Sequence, residues 1–220
     1  MERTELIAIG DPGSLVVEAY RNVRNIIRAA KADLRIIEIT GAVPDTEKSV
    51  FTANLAAVMA QAGNKILLID CDSANPIQHM LFQLDNRGLS EAAVAGADAR
   101  AFCQPTGQAG LDLLAAGVGA LSDLLSSERF PQILDGLKES YDYILLDAPS
   151  VLTGADASAL AVWADGVILV VESGKEEPKT VQLAKKKLNQ AKANILGCVL
   201  NRVKVDSRYD EFCRLQGGAA

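Results

Sequence analysis

Two adjoining runs decide the fold of this 220-residue chain: the apolar run Arg35-Ile-Ile-Glu-Ile-Thr40 and the run Val43-Pro-Asp-Thr-Glu-Lys-Ser-Val-Phe-Thr-Ala-Asn54. The first run is short and rich in isoleucine, which is typical of a buried β-strand. The second begins as a polar loop and passes at Lys48-Ser49 into a helical pattern. A buried strand that leads through a short loop into a helix is the first half of a βαβ unit, in which the strands are parallel.

Short apolar runs alternate with helical patterns along the rest of the chain. Strands are predicted at 35–40, 65–70, 111–115, 142–147, 166–172 and 194–200. Helices are predicted at 14–30, 49–62, 76–83, 88–96, 121–139, 155–163 and 177–192. Because the strands are apolar on both faces and are separated by helix-length segments, they are expected to pair in parallel through right-handed crossovers. The predicted fold is a doubly wound, mainly parallel α/β sheet of about six or seven strands with helices on both faces.

No linker or repeat divides the chain, so a single α/β domain is predicted over residues 1–203. The remaining segment, 204–220, is polar and ends in Gly-Gly-Ala-Ala, and it is expected to be a flexible tail. No signal peptide opens the chain and no run of 18 apolar residues occurs. A cytoplasmic protein without direct membrane insertion is therefore expected, and any membrane association would come through a partner.

Composition and charge exclude several classes of function. The net charge of −6 and the pI near 4.9 argue against nucleic-acid binding, which is driven by a basic surface. The four cysteines show no CxxC pairing, so reduced thiols are expected rather than disulfides or a metal site. With His79 as the single histidine, a histidine-based zinc site is excluded.

Polar residues follow four of the predicted strands: Lys48 and Ser49, Asp70 and Asp72, Asp147, and Asn201. In a doubly wound sheet, ligands bind at the carboxyl ends of the strands. In a P-loop, lysine contacts phosphate oxygens, serine or threonine ligates Mg²⁺, and an aspartate at the end of another strand supports the metal. The alternative interpretation is a solvated lysine and a first-turn serine at a helix start, beside ordinary strand-end aspartates.

The order and spacing of four stretches resemble the cytoplasmic tyrosine kinases of bacterial exopolysaccharide and capsule export, which belong to the wider class of partition and septum-site P-loop ATPases. The resemblance covers nearly the whole chain and implies a P-loop NTPase-like fold. The four stretches are Glu18-Ala-Tyr-Arg21-Asn-Val-Arg24, Ile39-Thr-Gly-Ala-Val-Pro-Asp-Thr-Glu-Lys48-Ser49, Ile66-Leu-Leu-Ile-Asp70-Cys-Asp72 and Tyr143-Ile-Leu-Leu-Asp147-Ala-Pro-Ser-Val-Leu152.

The resemblance also implies roles for single residues. Catalysis would fall to Lys48, Asp70 and Asp72. ATP would be contacted by Lys48, Ser49 and Asn201, and Mg²⁺ by Ser49, Asp70 and Asp147. The trio Glu18, Arg21 and Arg24 would form the interface of a homo-oligomeric ring, although a solvated helix face with i,i+3 charge pairs is the alternative. The implied partner is a membrane-embedded regulator of polysaccharide chain length.

The sequence departs from the family at the phosphate loop. The family has P-G-E-G-K-S/T-T, whereas this chain has Pro44-Asp-Thr-Glu-Lys-Ser-Val50, with Asp45 and Glu47 at the glycine positions. A side chain held at positive φ costs about 1–2 kcal/mol. A carboxylate ~5 Å from a phosphate repels it by about 3 kcal/mol at an effective dielectric constant of ~20. This repulsion lowers the affinity for ATP about a hundredfold. The loop is therefore expected to lose its shape, and ATP binding to be weakened or lost.

Two further features agree with a loss of phosphotransfer. No basic residue stands in Ser73-Ala-Asn-Pro76, where the family has one, and the tail has Tyr209 alone where the family has a tyrosine cluster. The first hypothesis is an assembly or regulatory module with weakened or absent phosphotransfer. The second is an active protein-tyrosine autokinase that binds Mg-ATP. The third, a partition or septum-positioning ATPase, is disfavoured because Val43 stands where those proteins carry a lysine.

Overall fold

A single seven-stranded sheet organises the molecule, whose computed structural model describes residues 6–30 and 33–203. The strands are β1 (Ile36–Gly41), β2 (Ile66–Asp70), β3 (Gln104–Pro105), β4 (Leu111–Leu114), β5 (Tyr143–Asp147), β6 (Gly166–Glu172) and β7 (Ile195–Asn201). The helices are α1 (Ile7–Gly10), α2 (Leu15–Ala30), α3 (Lys48–Gln61), α4 (Gln78–Leu81), α5 (Leu89–Ala95), α6 (Ser122–Leu125), α7 (Arg129–Lys138), α8 (Asp156–Trp163) and α9 (Pro178–Gln190).

The strands are ordered β3-β4-β2-β5-β1-β6-β7, and every pair is parallel except β3 with β4. The strand β1 lies between β5 and β6, so the chain runs to one side of β1 first and returns to the other side later. Such a reversal leaves a crevice at the carboxyl ends of the strands around β1. The predicted fold class, a doubly wound and mainly parallel sheet, is confirmed.

One face of the sheet is covered by α3, which is buried along almost its entire length. Its residues from Phe51 to Ala60 are buried without interruption, because α2 packs over α3 as an outer layer. The rings of Tyr20 and Phe51 join these two helices, with centroids 5.3 Å apart. The backbone N–H of Ala8 donates to Oδ1 of Asn54 at 2.9 Å, which holds α1 against α3.

The opposite face is covered by α5, α7, α8 and α9, whose inward side chains form the second core layer. The core thus has two layers that are separated by the sheet, which confirms the prediction of helices on both faces. None of the helices in the described residues is long and apolar enough to cross a membrane.

The predicted helix over 121–139 is wrong in one respect, since α6 and α7 are separate helices. Ser127 causes the break: its hydroxyl donates to the carbonyl of Leu124 at 2.8 Å and accepts from the N–H of Arg129 at 3.3 Å. Serine side chains that bond to the neighbouring backbone compete with helical hydrogen bonds. The helix α1 and the two-residue strand β3 were not predicted, and the predicted tail, 204–220, lies outside the described residues.

Candidate functional site

A cleft of about 1210 Å³ opens at the carboxyl ends of the central strands. It is lined by the loop 44–50, by residues from the segments 72–77, 119–122 and 149–156, and by Lys175 and Arg202. Each segment follows a parallel strand or begins the next helix, so the fold itself directs these loops to one place. The predicted site residues Lys48, Ser49 and Asp72 line this cleft.

Lys48 begins α3 and points its ammonium group at the strand-end carboxylates. Nζ donates to Oδ2 of Asp72 at 2.9 Å and lies 3.9 Å from Oδ1 of Asp147. Burial of the side chain opposes its charge, but the carboxylates of Asp147, Asp72 and Asp70 outweigh that effect and raise the pKa of Lys48. The lysine is therefore charged, and the interpretation as a solvated lysine does not fit a side chain that is only 11% exposed.

Asp70 and Asp147 lie side by side at the ends of β2 and β5, where they are paired in register. Burial raises the pKa of the Asp70 carboxyl, as does the charge of Asp147, although the N–H groups of Gln78 and Asp72 oppose the shift. Burial likewise raises the pKa of Asp147, against the opposing effects of Lys48, Gln78 and Ser49. Two neighbouring buried carboxyl groups hold their protons more tightly than exposed carboxyl groups do.

Gln78, at the start of α4, is a site residue that the sequence reasoning missed. Its side chain is fully buried, and Nε2 donates both to the carbonyl of Ser49 at 2.9 Å and to Oδ2 of Asp147 at 2.7 Å. Its backbone N–H donates to Oδ2 of Asp70 at 3.1 Å. Gln78 thus fixes the relative positions of the phosphate loop and the two aspartates. The available signal was an amide side chain soon after the strand end that carries Asp70.

The donor set fits a magnesium ion that is shared with a phosphate. Ser49 and Asp147 offer a hydroxyl and a carboxylate, and Oδ1 of Asp147 is buried without a hydrogen-bond partner. In the described residues no three His, Cys, Asp or Glu side chains are grouped as a metal site. Mg²⁺ in nucleotide sites commonly takes only one or two carboxylates, with water and substrate phosphate as its other ligands.

The phosphate loop keeps the backbone conformation that glycine would provide. Asp45 has φ of 62° and Glu47 has φ of 56°, so both residues are left-handed. Contrary to the expectation from the sequence, side chains at the glycine positions have not removed this feature of the loop. The backbone strain expected at the two positions is therefore present, at about 1–2 kcal/mol each.

Three side chains beyond the loop contact it. Asn201 Nδ2 donates to the carbonyl of Thr46 at 3.3 Å, and Asn201 is not among the described residues that line the cleft. Its predicted contact with the nucleotide stays a prediction. Lys175 and Arg202, which the sequence analysis missed, both line the cleft, and Arg202 forms an ion pair with Glu47. The available signal was a cation shortly after each of the last two strands.

The predicted interface residues lie on α2 and are not among the described residues that line the cleft. Glu18 and Arg21 form an i,i+3 ion pair, and Nη2 of Arg21 donates to the carbonyl of Pro12 at 3.1 Å. Arg24 donates to Oδ1 of Asn25 at 3.2 Å. The trio is accessible on the outer layer, and its role in assembly stays a prediction.

Comparisons with known proteins give a consistent result. A protein-family model described as an AAA domain matches residues 34–195. The tyrosine-protein kinase YwqD of Bacillus subtilis (strain 168) is 36% identical over 94% of this chain and 89% of its own length. The tyrosine-protein kinase etk of Escherichia coli (strain K12) is 34% identical over 90% of this chain, which spans only 28% of that protein.

Solved structures resemble the fold closely. The chimerical protein CapA2B2 superposes with a TM-score of 0.86 at 33% identity, over 91% of this chain and 90% of the other. The septum site-determining protein MinD of Pyrococcus horikoshii OT3, solved with Mg-ADP, superposes with a TM-score of 0.66 at 25% identity, over 79% of this chain and 72% of the other. These likenesses place the cleft in a P-loop ATPase fold. The chain therefore belongs to the family of bacterial tyrosine-protein kinases that includes YwqD and etk.

Proposed function

We propose that this chain is a tyrosine-kinase-family module of exopolysaccharide or capsule assembly that binds Mg-nucleotide in its cleft, at an affinity weakened by its phosphate loop. One observation supports both halves of the proposal. Lys48 stands in the cleft beside Asp72 and Asp147, while the two left-handed loop positions carry carboxylates instead of glycines. The cation and the metal ligands of a nucleotide site are retained, but the loop adds negative charge next to them.

Each retained residue has a defined task in this proposal. Lys48 would exchange Asp72 for a phosphate oxygen, because its ammonium group reaches the cleft and is already charged. Ser49 and Asp147 would hold Mg²⁺, with Asp70 behind them, and the bound ion would offset the charge of the phosphates. Gln78 keeps Asp147 and the loop in register. The contact of Asn201 with the nucleotide base is retained as part of the proposal.

The first prediction concerns binding of nucleotide. Titration with Mg-ADP, followed by thermal unfolding and calorimetry, is expected to give a dissociation constant of tens to hundreds of micromolar. A constant of ~50 μM would raise the apparent free energy of unfolding by about 2 kcal/mol at ~2 mM ligand. Lys48→Ala is expected to abolish the shift, whereas Lys138→Ala, which removes a partly exposed lysine paired with Asp135, is expected to leave it unchanged. A flat response of the unmodified protein would contradict the proposal.

A second candidate is full phosphotransfer to tyrosine. The observation in its favour is that Lys48, Ser49, Asp70, Asp72 and Asp147 are brought together as a set. This candidate expects phosphotyrosine to form on incubation with Mg-ATP and a membrane-embedded activating partner. Its disappearance in Asp72→Asn would support direct transfer, and no labelled phosphotyrosine with the unmodified protein would rule it out. Tyr209, a possible acceptor by sequence, lies outside the described residues.

The proposed partner is a membrane-embedded regulator of polysaccharide chain length, and the proposed location is the cytoplasmic face of the membrane. The support is that this chain corresponds to 28% of etk, so that relative contains much more than the kinase part. The family resemblance at Glu18, Arg21 and Arg24 further suggests a homo-oligomer. Nucleic acid is not proposed as a partner, because the net charge is −6.

A further inference from the structure

Three consecutive residues of the phosphate loop are each contacted by a side chain from the part of the chain that ends or follows β6 and β7. Lys175 Nζ donates to the carbonyl of Asp45 at 3.3 Å, and Asn201 Nδ2 donates to the carbonyl of Thr46 at 3.3 Å. Arg202 pairs through Nη2 with the carboxylate of Glu47. The three donors follow or end β6 and β7, so the loop is braced from outside its own segment.

Arg202 joins two carboxylates at once. Its Nη2 contacts Glu47, and its Nη1 lies 3.2 Å from Oε1 of Glu172 at the end of β6. The other oxygen of Glu172 lies 3.0 Å from Nζ of Lys175. A guanidinium group presents its donors in a rigid planar fork, so it can bridge two carboxylates in a way that an ammonium group cannot match. The result is a series of alternating charges, Glu47, Arg202, Glu172 and Lys175, of which Glu47, Arg202 and Lys175 line the cleft.

The position of Glu47 makes this bridge relevant to phosphate binding. Glu47 comes directly before Lys48, and both residues line the cleft. A free carboxylate here would stand next to any phosphate that Lys48 binds and would repel it. Because Glu47 is bound by Arg202, its charge is offset and its side chain is held toward β6 and β7.

We propose that Arg202 is a positioning residue of the nucleotide site, which binds the Glu47 carboxylate and so allows a phosphate loop without glycine to accept an anion. The inference rests on the proposed function, because it concerns the same cleft. In this inference the guanidinium group of Arg202 offsets the negative charge of Glu47 in the phosphate loop. Arg202 acts through Glu47, and it need not touch the nucleotide.

A double-mutant cycle on the full chain tests this role, with the Mg-ADP dissociation constant from calorimetry as the readout. Arg202→Ala is expected to weaken binding about tenfold when Glu47 is present, and to change it by less than about twofold in the Glu47→Gly background. Arg202→Lys should recover part of the loss, because it restores the charge without the fork. The matched control is Arg100→Ala, since Arg100 is also 53% exposed and paired with a carboxylate, and it should not alter binding.

The outcomes separate this inference from the proposed function. Suppose that Mg-ADP binds but Arg202→Ala weakens binding equally with Glu47 present and in the Glu47→Gly variant, or weakens it in neither. Arg202 then does not act through Glu47, and the inference is overturned. If no variant binds, not even Glu47→Gly, the proposed function fails. The inference then falls with it, and the same cycle in urea-unfolding free energies reports only whether Arg202 and Glu47 interact.

Discussion

Glu38 is a carboxyl group in the middle of the central strand β1, where it is fully buried and neither oxygen has a hydrogen-bond partner. Its strand neighbours Ile37 and Ile39 pack into one core layer, so alternation directs Glu38 into the other. Burial without a partner raises the pKa of Glu38 well above its ordinary value. Burial therefore favours the protonated form of the Glu38 carboxyl group.

Because of Glu38, the free energy of unfolding should therefore decrease as the pH rises. Above about pH 4.3 the unfolded chain loses the Glu38 proton while the folded chain keeps it, so up to about 1.4 kcal/mol of stability is lost per pH unit until the folded-state pKa is passed. We expect Glu38→Met, which removes the titrating group at similar volume, to be more stable at neutral pH by about 2 kcal/mol or more. Urea unfolding at several pH values measures the difference.

The control for this prediction is Glu38→Gln, which keeps the shape and the buried polar atoms but does not titrate. Its difference from the unmodified protein should change with pH in the same way as that of Glu38→Met. Its stability at any one pH should be lower than that of Glu38→Met, because a buried amide without partners is destabilising. If the pH dependence of unfolding were the same in all three proteins, the carboxyl would not be held neutral by the fold.

At this scale the sequence predicted which polar side chains lie close together near the strand ends. Parallel strands bring their carboxyl ends together, so the proximity of Lys48, Ser49, Asp70, Asp72 and Asp147 could be expected, and their role in binding stays a prediction. The predictions failed for side chains whose contacts cross between distant segments. Gln78 reaches Asp147 across 69 residues, and Arg202 reaches Glu47 across 155 residues, distances over which no local pattern operates.

Gly88, the residue before α5, shows how an element depends on close approach of two backbones. A Cβ atom at this position would lie 2.0 Å from the carbonyl oxygen of Ala115, so a side chain cannot be accommodated without movement. The same contact region carries a hydrogen bond of 2.8 Å from Leu89 N–H to Ala115 and one of 2.8 Å from Gly88 N–H to Glu91. The start of α5 is thus fixed against the end of β4.

We expect Gly88→Ala to lower the free energy of unfolding by about 2–3 kcal/mol, because the clash is with backbone. The matched substitution is Gly136→Ala in α7, where an added Cβ would meet nothing within 4 Å. There the change should stabilise by about 0.5–1 kcal/mol, since alanine has the higher helix propensity. Denaturant unfolding of both variants measures the difference, and equal effects would contradict the close approach at Gly88.

Element predictions were accurate where apolar periodicity was uninterrupted and failed where single side chains intervened. The strands β1, β2, β5 and β6 were predicted within a residue or two, because each is an apolar run bounded by polar residues. The separation of α6 from α7 escaped notice, since Ser127 breaks the helix through its own hydrogen bonds without any change in the apolar pattern. The strand β3, which contains Pro105, is too short for periodicity to detect.

For the molecule as a whole, strands that are apolar on both faces predicted the class of the sheet. The sequence did not predict which apolar side chains lie on the surface of the protein. The outer face of α1 and α2 leaves large apolar side chains in contact with solvent, with Leu15 65% and Ile26 64% exposed. Apolar side chains on an outer helix are compatible with packing against another protein surface. The charged trio of α2 lies on the same helix, which makes this surface the place to test assembly.

We expect the double substitution Arg21→Ala/Arg24→Ala to reduce the association state of the full chain, because it removes two guanidinium groups from the proposed contact surface. Light scattering should then report a mass near that of one chain, 23.3 kDa, where the unmodified protein gives a multiple of it. Urea unfolding must show that the variant remains folded. The loss of the Arg21–Glu18 pair alone is expected to cost less than about 1 kcal/mol, as for other exposed pairs.

The control for assembly removes the same charge from two arginines outside the trio, with Arg28→Ala/Arg100→Ala as the matched pair. Arg28 lies on the last turn of the same helix and Arg100 in the short 3₁₀ helix Ala99–Phe102, so a general effect of net charge would appear in both double variants. A specific contact through the trio would change the association state of Arg21→Ala/Arg24→Ala but not that of Arg28→Ala/Arg100→Ala. An association state unchanged by Arg21→Ala/Arg24→Ala would mean that the trio is a solvated helix face, and that copies of this chain assemble through other residues, if they assemble at all.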